Sequence, residues 1–342
     1  MKNLDSTCFC AFFTIFLSLS ACATGNDNLG TGGSSAGSST SSSNSGGAGG
    51  GELPVEPNGP PKLTLVNGIN DYEAIRFCFL PYPDGGDPPP IPAESAGLAF
   101  AKPLVVDPNN PAIPSGQDLW LHVIGGDLSK TAGKNCAELT SGSPPAGVIV
   151  ASVAVIPASA FTAERSLLLV PHGCIGGPNH TDPIEKLACG ETYSPDTPFP
   201  GLLAAGMSRL TTPNTISIQA AHAAPGMTAV DLRITPDNQG TMPYLFAAPL
   251  TLGEVGPFPP FQQLSRQKIG AVTSIQISTF SPNQAQQSSA SSLADALASG
   301  GIDQAAFADG EGFTLVAVGA APGFAAGPFW HALTWTAVRS DP

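Results

Sequence analysis

Charge is scarce in this chain. Only 11% of its 342 residues are Asp, Glu, Lys or Arg, against about 25% in ordinary globular domains. Basic residues are scarcer still, 13 against 26 acidic ones, for a net charge of −13. Such a surface repels phosphate backbones and anionic headgroups, which argues against nucleic acid as a partner. Missing too is an apolar run of the roughly 20 residues that a membrane-crossing helix needs. The run from Phe9 to Leu19 is shorter and is interrupted by Thr14 and Ser18. What the chain has in abundance is Gly (39) and Pro (35), beside 42% hydrophobic residues. That mixture suits short strands joined by turns around a real core, rather than long helices with Ala/Leu/Glu/Lys faces.

The short apolar run has another use. A basic start (Met1, Lys2), an apolar stretch and then small residues make an export signal, here ending Leu19-Ser20-Ala21-Cys22. The ending resembles the lipobox of bacterial lipoproteins. The resemblance implies cleavage before Cys22, whose sulfur carries a diacylglycerol and whose amine usually carries a third acyl chain. Residues 1–21 are then a signal peptide, and the mature protein sits in the cell envelope. Ala23, with no acidic residue at that position, directs it to the outer membrane by the same resemblance. Each buried methylene contributes about 0.8 kcal/mol, so two or three acyl chains hold the protein almost irreversibly.

From Gly25 to Gly51 the chain is nearly all Ser, Gly, Thr, Asn and Ala. Residues 22–61 therefore read as a flexible linker with an average reach of about 35 Å. Gly33-Ser34-Ser35-Ala36-Gly37 fits a nucleophile-elbow pattern, but without a strand before it or a helix after it the match is compositional. Four cysteines remain in the folded part, Cys78, Cys136, Cys174 and Cys189. An even number in an oxidising compartment points to two disulfides with three possible connectivities. Cys174 and Cys189 flank a turn-rich loop, which favours 174–189 with 78–136; a loop of that length contributes about 3 kcal/mol in the chain-entropy model.

Beyond the linker the chain repeats itself. Leu63 to Phe79 aligns without a gap on Ile218 to Ile234, with Ile75, Phe77 and Phe79 matching Val230, Leu232 and Ile234 in the alternation of half-buried strands. Gly116, Leu121 and Val123 match Gly270, Ile275 and Ile277, and Arg165–Gly173 matches Glu311–Gly319. Three anchors in one order predict two copies of one domain, over 62–213 and 214–342. Strands are expected at 62–67, 73–80, 97–104, 118–124, 147–155 and 166–171, then at 215–221, 228–235, 243–249, 272–279, 312–319 and 329–338. Ser291 to Ser299 is the one helix candidate. The loops at 81–96 and 174–213 are read as long and poor in strands.

In the second copy, His222-Ala-Ala-Pro225-Gly-Met-Thr-Ala-Val230-Asp231-Leu-Arg-Ile resembles the opening motif of the bacterial domain of unknown function 4397. Phe313 to Gly319 resembles a later strand of that family. The first copy resembles it more weakly, with Asn67, Asn70 and Arg76 where the second has His222, Pro225 and Asp231. The resemblance implies two tandem immunoglobulin-like β-sandwiches, an all-β protein with no established activity. It also gives His222, Pro225 and Asp231 a structural part, a hydrogen bond closing the turn between the histidine and the aspartate.

Several constellations could carry chemistry. His172, Cys174, His180, Asp182 and Cys189 could surround a zinc ion, though their spacing matches no standard finger and exported thiols tend to pair with each other. His222 and Asp231 could form the acid–base half of a triad, but Ser208, in Gly206-Met-Ser-Arg, lacks a second small residue and a strand context. Asp84, Asp87, Asp107 and Asp237 lie in loops without regular calcium spacing. Trp120, Trp330 and Trp335 could stack sugars, Trp330 and Trp335 on opposite faces of one strand. The expectation is a non-catalytic, lipid-anchored envelope protein, held to the membrane by its acyl chains, that presents loops to an envelope protein or glycan. It needs no cofactor and no metal. The rival is an envelope hydrolase or zinc protein using the His172/Cys174/His180 loop.

Overall fold

Apolar residues alternate with polar ones along Ala74–Pro81 and Leu119–Gly126, and the chain pleats so that one set faces a core. The computed structural model describes residues 56, 62–83, 85–107, 109–161, 165–177, 188–190, 193–194, 198, 200–227, 229–235, 244–268, 276–280, 287–321 and 331–341. The chain divides into two units, Met1–Gly51 and Glu52–Pro342, and the fold below is that of the second. The expectations for the signal, Cys22 and most of the linker lie outside the described residues.

The first half forms β1 (Leu63–Val66), β2 (Gly68–Ile69), β3 (Ala74–Pro81), β4 (Leu98–Ala99), β5 (Pro103–Val106), β6 (Leu119–Gly126), β7 (Val148–Ile156), β8 (Ser166–Gly173) and β9 (Gly201–Met207), with a short helix α1 (Cys136–Thr140). The second half forms β10 (Ile216–Ala223), β11 (Ala229–Thr235), β12 (Tyr244–Thr251), β13 (Val255–Leu264), β14 (Gln276–Phe280), β15 (Gln287–Ser292), helix α2 (Leu293–Ser299), β16 (Gly312–Val318) and β17 (Thr334–Arg339). One sheet of the first half runs β5-β1-β8-β9, with β2 prolonging β1 along β8, and the other runs β4-β3-β6-β7. The second half repeats this as β13-β10-β16-β17 and β12-β11-β14-β15. With β2 set aside, each strand of one half has its counterpart, in chain order, in the other.

The register repeats as well. Leu63 lies opposite Leu167 in the parallel pair β1–β8, and Ile218 opposite Phe313 in β10–β16, the counterparts expected from the sequence. One anchor needs correction. Phe79 faces Leu121 while its counterpart Ile234 faces Ile277. Leu121 therefore corresponds to Ile277, two residues beyond the sequence match. A shift of two keeps side chains on the same face, so the hydrophobic pattern could not reveal it.

Each half is a β-sandwich with its own core. Ile75, Phe77, Phe79, Leu121 and Leu169 fill the first, and Ile218, Phe313, Leu315 and Trp335 the second. A third apolar layer lies between the sandwiches, where Val66, Leu168, Val170, Leu203 and Met207 meet Ala221, Ala223, Val316, Val318 and Val338. This stacking of four sheets explains why β8, with the run Leu167-Leu-Leu-Val170, is buried along its whole length. A Cβ on Gly68 would come within 3.1 Å of Val318 Cγ1 and 2.8 Å of the Pro171 carbonyl, so glycine permits the close approach.

Several strand expectations change. The stretch 97–104 divides into β4 and β5, because Ala101 at φ 57° turns the chain from one sheet into the other. The region 174–213 contains β9, whose small residues hide its period but which completes a sheet edge on β8. Pro257, Pro259 and Pro260 disguise β13, yet β13 is an edge strand, where missing N–H groups cost least. The polar β15 is also an edge strand. The expected helix forms as α2, capped by the Ser292 hydroxyl, which accepts from the Asp295 amide. β17 starts at Thr334, later than the expected 329, and Trp330 lies outside the described residues.

Candidate interaction surface

Strand pleating turns Arg76, Cys78 and Leu80 of β3, and Trp120, His122 and Ile124 of β6, to the outer face of the first sandwich. One end of this face is covered. The disulfide Cys78–Cys136 ties down α1, and Leu128, Leu139 and Val148 pack with Cys78, Leu80 and Ile124. A reciprocal capping box between Asn135 and Glu138 starts α1. The buried Arg76 guanidinium donates to the carbonyls of Pro92, Ala93 and Thr131 and to the Thr131 hydroxyl, at 2.7 to 3.1 Å. It fastens both the 81–96 loop and the α1 flap to the sheet. Burial lowers its pKa, with the Glu94 charge opposing.

The other end of the face is open. Trp120 is 39% exposed and Tyr82 46% exposed, their rings edge to face with centroids 6.0 Å apart. Val155, directly across from Trp120 in the β6–β7 ladder, is 42% exposed. Beneath Trp120, 4.9 Å from ring to ring, His122 is buried with Nδ1 3.2 Å from the Ser152 hydroxyl. Its Nε2 has no hydrogen-bond partner among the described residues. Burial pushes its pKa down to about 4, so the ring is neutral at neutral pH. The result is an aromatic platform on a rigid sheet, apolar on top and uncharged below, able to stack the apolar face of a planar or sugar ring.

Val155 also lines a groove of about 410 Å³ that opens between the edge strands β7 and β9. Ile156, Leu167 and Leu202 line it, and among the described residues its one ionisable lining group is Arg165. Arg165 pairs with Glu56 at 3.2 Å and lies over the Phe258 ring, 4.3 Å from its centroid.

The residues singled out in the sequence scatter over the fold, and most have structural work. Cys174 is bonded to Cys189, in the favoured connectivity. Both are buried, with Ala188, Tyr193 and Ala320, in a cluster joining the two sandwiches. The thiolate needed by the zinc reading is thus taken up in a disulfide, while His180 and Asp182 lie outside the described residues. No group of three metal-ligating side chains forms among the described residues. His172 is buried beside His222, and desolvation first, then the His222 charge, pushes its pKa down to about 4.

His222 closes a turn through backbone groups, and the Asp231 side chain lies outside what is described. Its Nε2 donates to the Met227 carbonyl at 2.8 Å, and Nδ1 accepts from the Ala224 amide at 3.4 Å. Burial lowers its pKa, opposed by that carbonyl and by Glu254. Asn67 performs the same task in the first copy, its Oδ1 accepting from the Ile69 amide at 3.0 Å. The polar role is therefore shared between copies although the residue type is not. Pro225 is buried in the turn, and Asp231 sits in β11 opposite Phe280. Asn70, in the place of Pro225, bonds the Ala188 carbonyl and the His331 amide, linking both sandwiches.

The Ser208 hydroxyl accepts from the Leu210 amide in the connection between the sandwiches, far in role from a nucleophile. Asp107 caps its own turn through the Asn109 amide. Asp87 is exposed, and Asp84 and Asp237 lie outside the described residues. Trp335 is core, leaving Trp120 as the surface tryptophan among the described residues. Its companions Tyr82 and Val155 come from a proline-rich strand end and a neighbouring strand, and no local pattern announced them.

No known protein family matches the chain, and no curated protein matches it. Among solved structures, the chain is similar to one from Bacteroides ovatus named a "putative adhesin", with 11% identity and a TM-score of 0.20, covering 80% of this chain and 94% of that one.

Proposed function

We propose that this protein is a non-catalytic binding protein of the bacterial envelope, anchored through acylated Cys22 and carrying two divergent copies of the domain of unknown function 4397. Its first sandwich binds an envelope protein or glycan through the Tyr82–Trp120 platform. The observation that carries the reading is that platform, a large aromatic pair left open on a sheet whose other end is deliberately covered. Exposed aromatics on a rigid scaffold contribute contact area at little entropic cost. The neutral His122 beneath Trp120 and the low charge of the chain favour an uncharged ligand surface.

The test is an array of glycans and envelope proteins, probed with the full chain and with Trp120→Ala. Binding lost in the variant, with an unchanged thermal melt, supports the platform; binding retained in full would refute it. Acyl labelling of the wild type, absent in Cys22→Ser, tests the anchor in the same preparations. A Cys22→Ser protein still labelled and still in the membrane fraction would overturn that part.

A further inference from the structure

The internal repeat separates what the aromatic face owes to the fold from what it does not. Phe79 and Leu121 of the first sandwich correspond to Ile234 and Ile277 of the second. The facing pairs Leu80–Trp120 and Cys78–His122 therefore correspond to Thr235–Gln276 and Arg233–Ser278. No aromatic residue stands at those positions in the second copy, and the sheet forms there all the same. Trp120 and His122 are additions to a scaffold that does not require them. His122 is the costlier of the two. It is 6% exposed, its Nδ1 meets the Ser152 hydroxyl at 3.2 Å, and its Nε2 is buried without a hydrogen-bond partner among the described residues. An unpaired buried nitrogen destabilises the fold, whereas a phenylalanine would fill the same space without that cost. Nε2 is the ring nitrogen farther from Cβ, so on a side chain standing off the strand it points away from the backbone, out towards the platform face.

We infer that the ligand of the Trp120 platform is a neutral glycan, and that His122 selects it by hydrogen-bonding one sugar hydroxyl through Nε2. The inference rests on the platform reading and specifies its ligand. Trp120 is 39% exposed, and its ring is inclined at 42° to the imidazole instead of lying flat on it. An outward turn of the indole about its own side-chain torsions opens Nε2 and leaves β6 in place. A pyranose carries in one rigid ring what both groups need, a C–H face for the indole and hydroxyls at the rim for the imidazole. A hydroxyl both donates and accepts, so it satisfies Nε2 in whichever tautomer the Ser152 contact leaves. An aliphatic side chain of a protein partner would stack on Trp120 and leave Nε2 unpaired. An anionic sugar would find no counter-charge in the imidazole, which burial keeps neutral.

The probes are neutral hexose and N-acetylhexosamine oligosaccharides with their uronic and sulfated counterparts, arrayed against the full-length protein. The strongest neutral binder is then titrated by calorimetry, beside its monodeoxy analogues. The expected result is binding abolished by Trp120→Ala and weakened about tenfold or more by His122→Phe. Because it removes the unpaired nitrogen, His122→Phe should melt at or above the wild-type temperature while binding falls, a combination that a purely structural histidine would not give. One monodeoxy analogue should bind the wild type about tenfold more weakly than its parent, yet bind His122→Phe as well as the parent does, which identifies the hydroxyl that meets Nε2. Glycan binding lost in Trp120→Ala but unchanged in His122→Phe would overturn the role of His122 and keep the platform. An envelope protein bound through Trp120, with no neutral glycan bound, would overturn the glycan and again keep the platform. A preference for the uronic or sulfated sugars would overturn the neutral ligand. Glycan binding unaffected by Trp120→Ala would refute the platform itself.

Discussion

The layer between the sandwiches predicts how the protein melts. Val316 is fully buried there, on the face of β16 opposite the core of its own sandwich. Val316→Ala removes two methyl groups, about 1.6 kcal/mol at roughly 0.8 kcal/mol per group. The cavity left between two sheets that cannot collapse independently raises this to about 2 kcal/mol. At about 2–4 °C per kcal/mol for a cooperative unit of this size, the melting temperature falls by about 4–8 °C. The informative part is which strands respond. If the shared layer makes the sandwiches one cooperative unit, calorimetry of the wild type gives a single transition with equal calorimetric and van't Hoff enthalpies. Hydrogen exchange in Val316→Ala should then accelerate in β1 and β8 of the first sandwich as well as in β16. Extending the change to Val66, Val170 and Val318 removes about 6 kcal/mol, comparable with the whole stability of a domain, and should split the transition in two. Two independent transitions in the wild type would refute the reasoning. So would a Val316→Ala protein whose first sandwich exchanges at the wild-type rate.

Two further outcomes follow from buried polar groups. The folded-state pKa values of His122 and His172 lie near about 4, below the ordinary 6.5. The unfolded chain therefore takes up protons first as pH falls. Their contribution is complete above pH 6.5 and is lost as pH falls towards 4, about 3 kcal/mol for each ring. Urea midpoints measured across that window should drop, and His122→Gln should remove one ring's share of the slope; an unchanged slope would show that His122 does not carry it. Arg76→Met leaves the buried Thr131 carbonyl, and the less buried carbonyls of Pro92 and Ala93, without their donor and should cost about 2 kcal/mol. Limited proteolysis should then cut within 81–96, and a variant that melts and resists protease like the wild type would contradict the stapling role of the guanidinium.

Much of this fold is local and so was legible in the chain. Alternation along Ile75–Phe79 and Leu119–Val123 specifies which face of each strand is inward, because the side-chain period of a strand is two. Repetition of that pattern in the same order, at offsets of 155, 154 and 146 residues, points to two copies of one sandwich. The cysteine count and the turn-rich stretch between Cys174 and Cys189 specify the local bridge, because only residues close in sequence meet without help from the rest of the fold. Trp120 stood out by residue type alone. The helix α2 carried its own serine cap. Edge strands such as β9, β13 and β15 had no such signal, since an edge is defined by its neighbour and tolerates proline, glycine and polar residues that a central strand does not.

What only the tertiary structure decided concerns surfaces that belong to two distant segments at once. The second buried face of β8 exists because another sheet lies against it, so Leu168 and Val170 count as core only once β10 and β16 are in place. His222 and Asn67 share a role through backbone geometry, which residue identity concealed. The open platform arises because the α1 flap, held by Cys136 and Arg76, covers one end of a sheet and stops short of Trp120. The groove beside β9 lies where, among the described residues, the first copy has the short turn Ala158–Phe161 and the second has α2. Each is a matter of what covers what, a long-range packing outcome that no window of sequence contains.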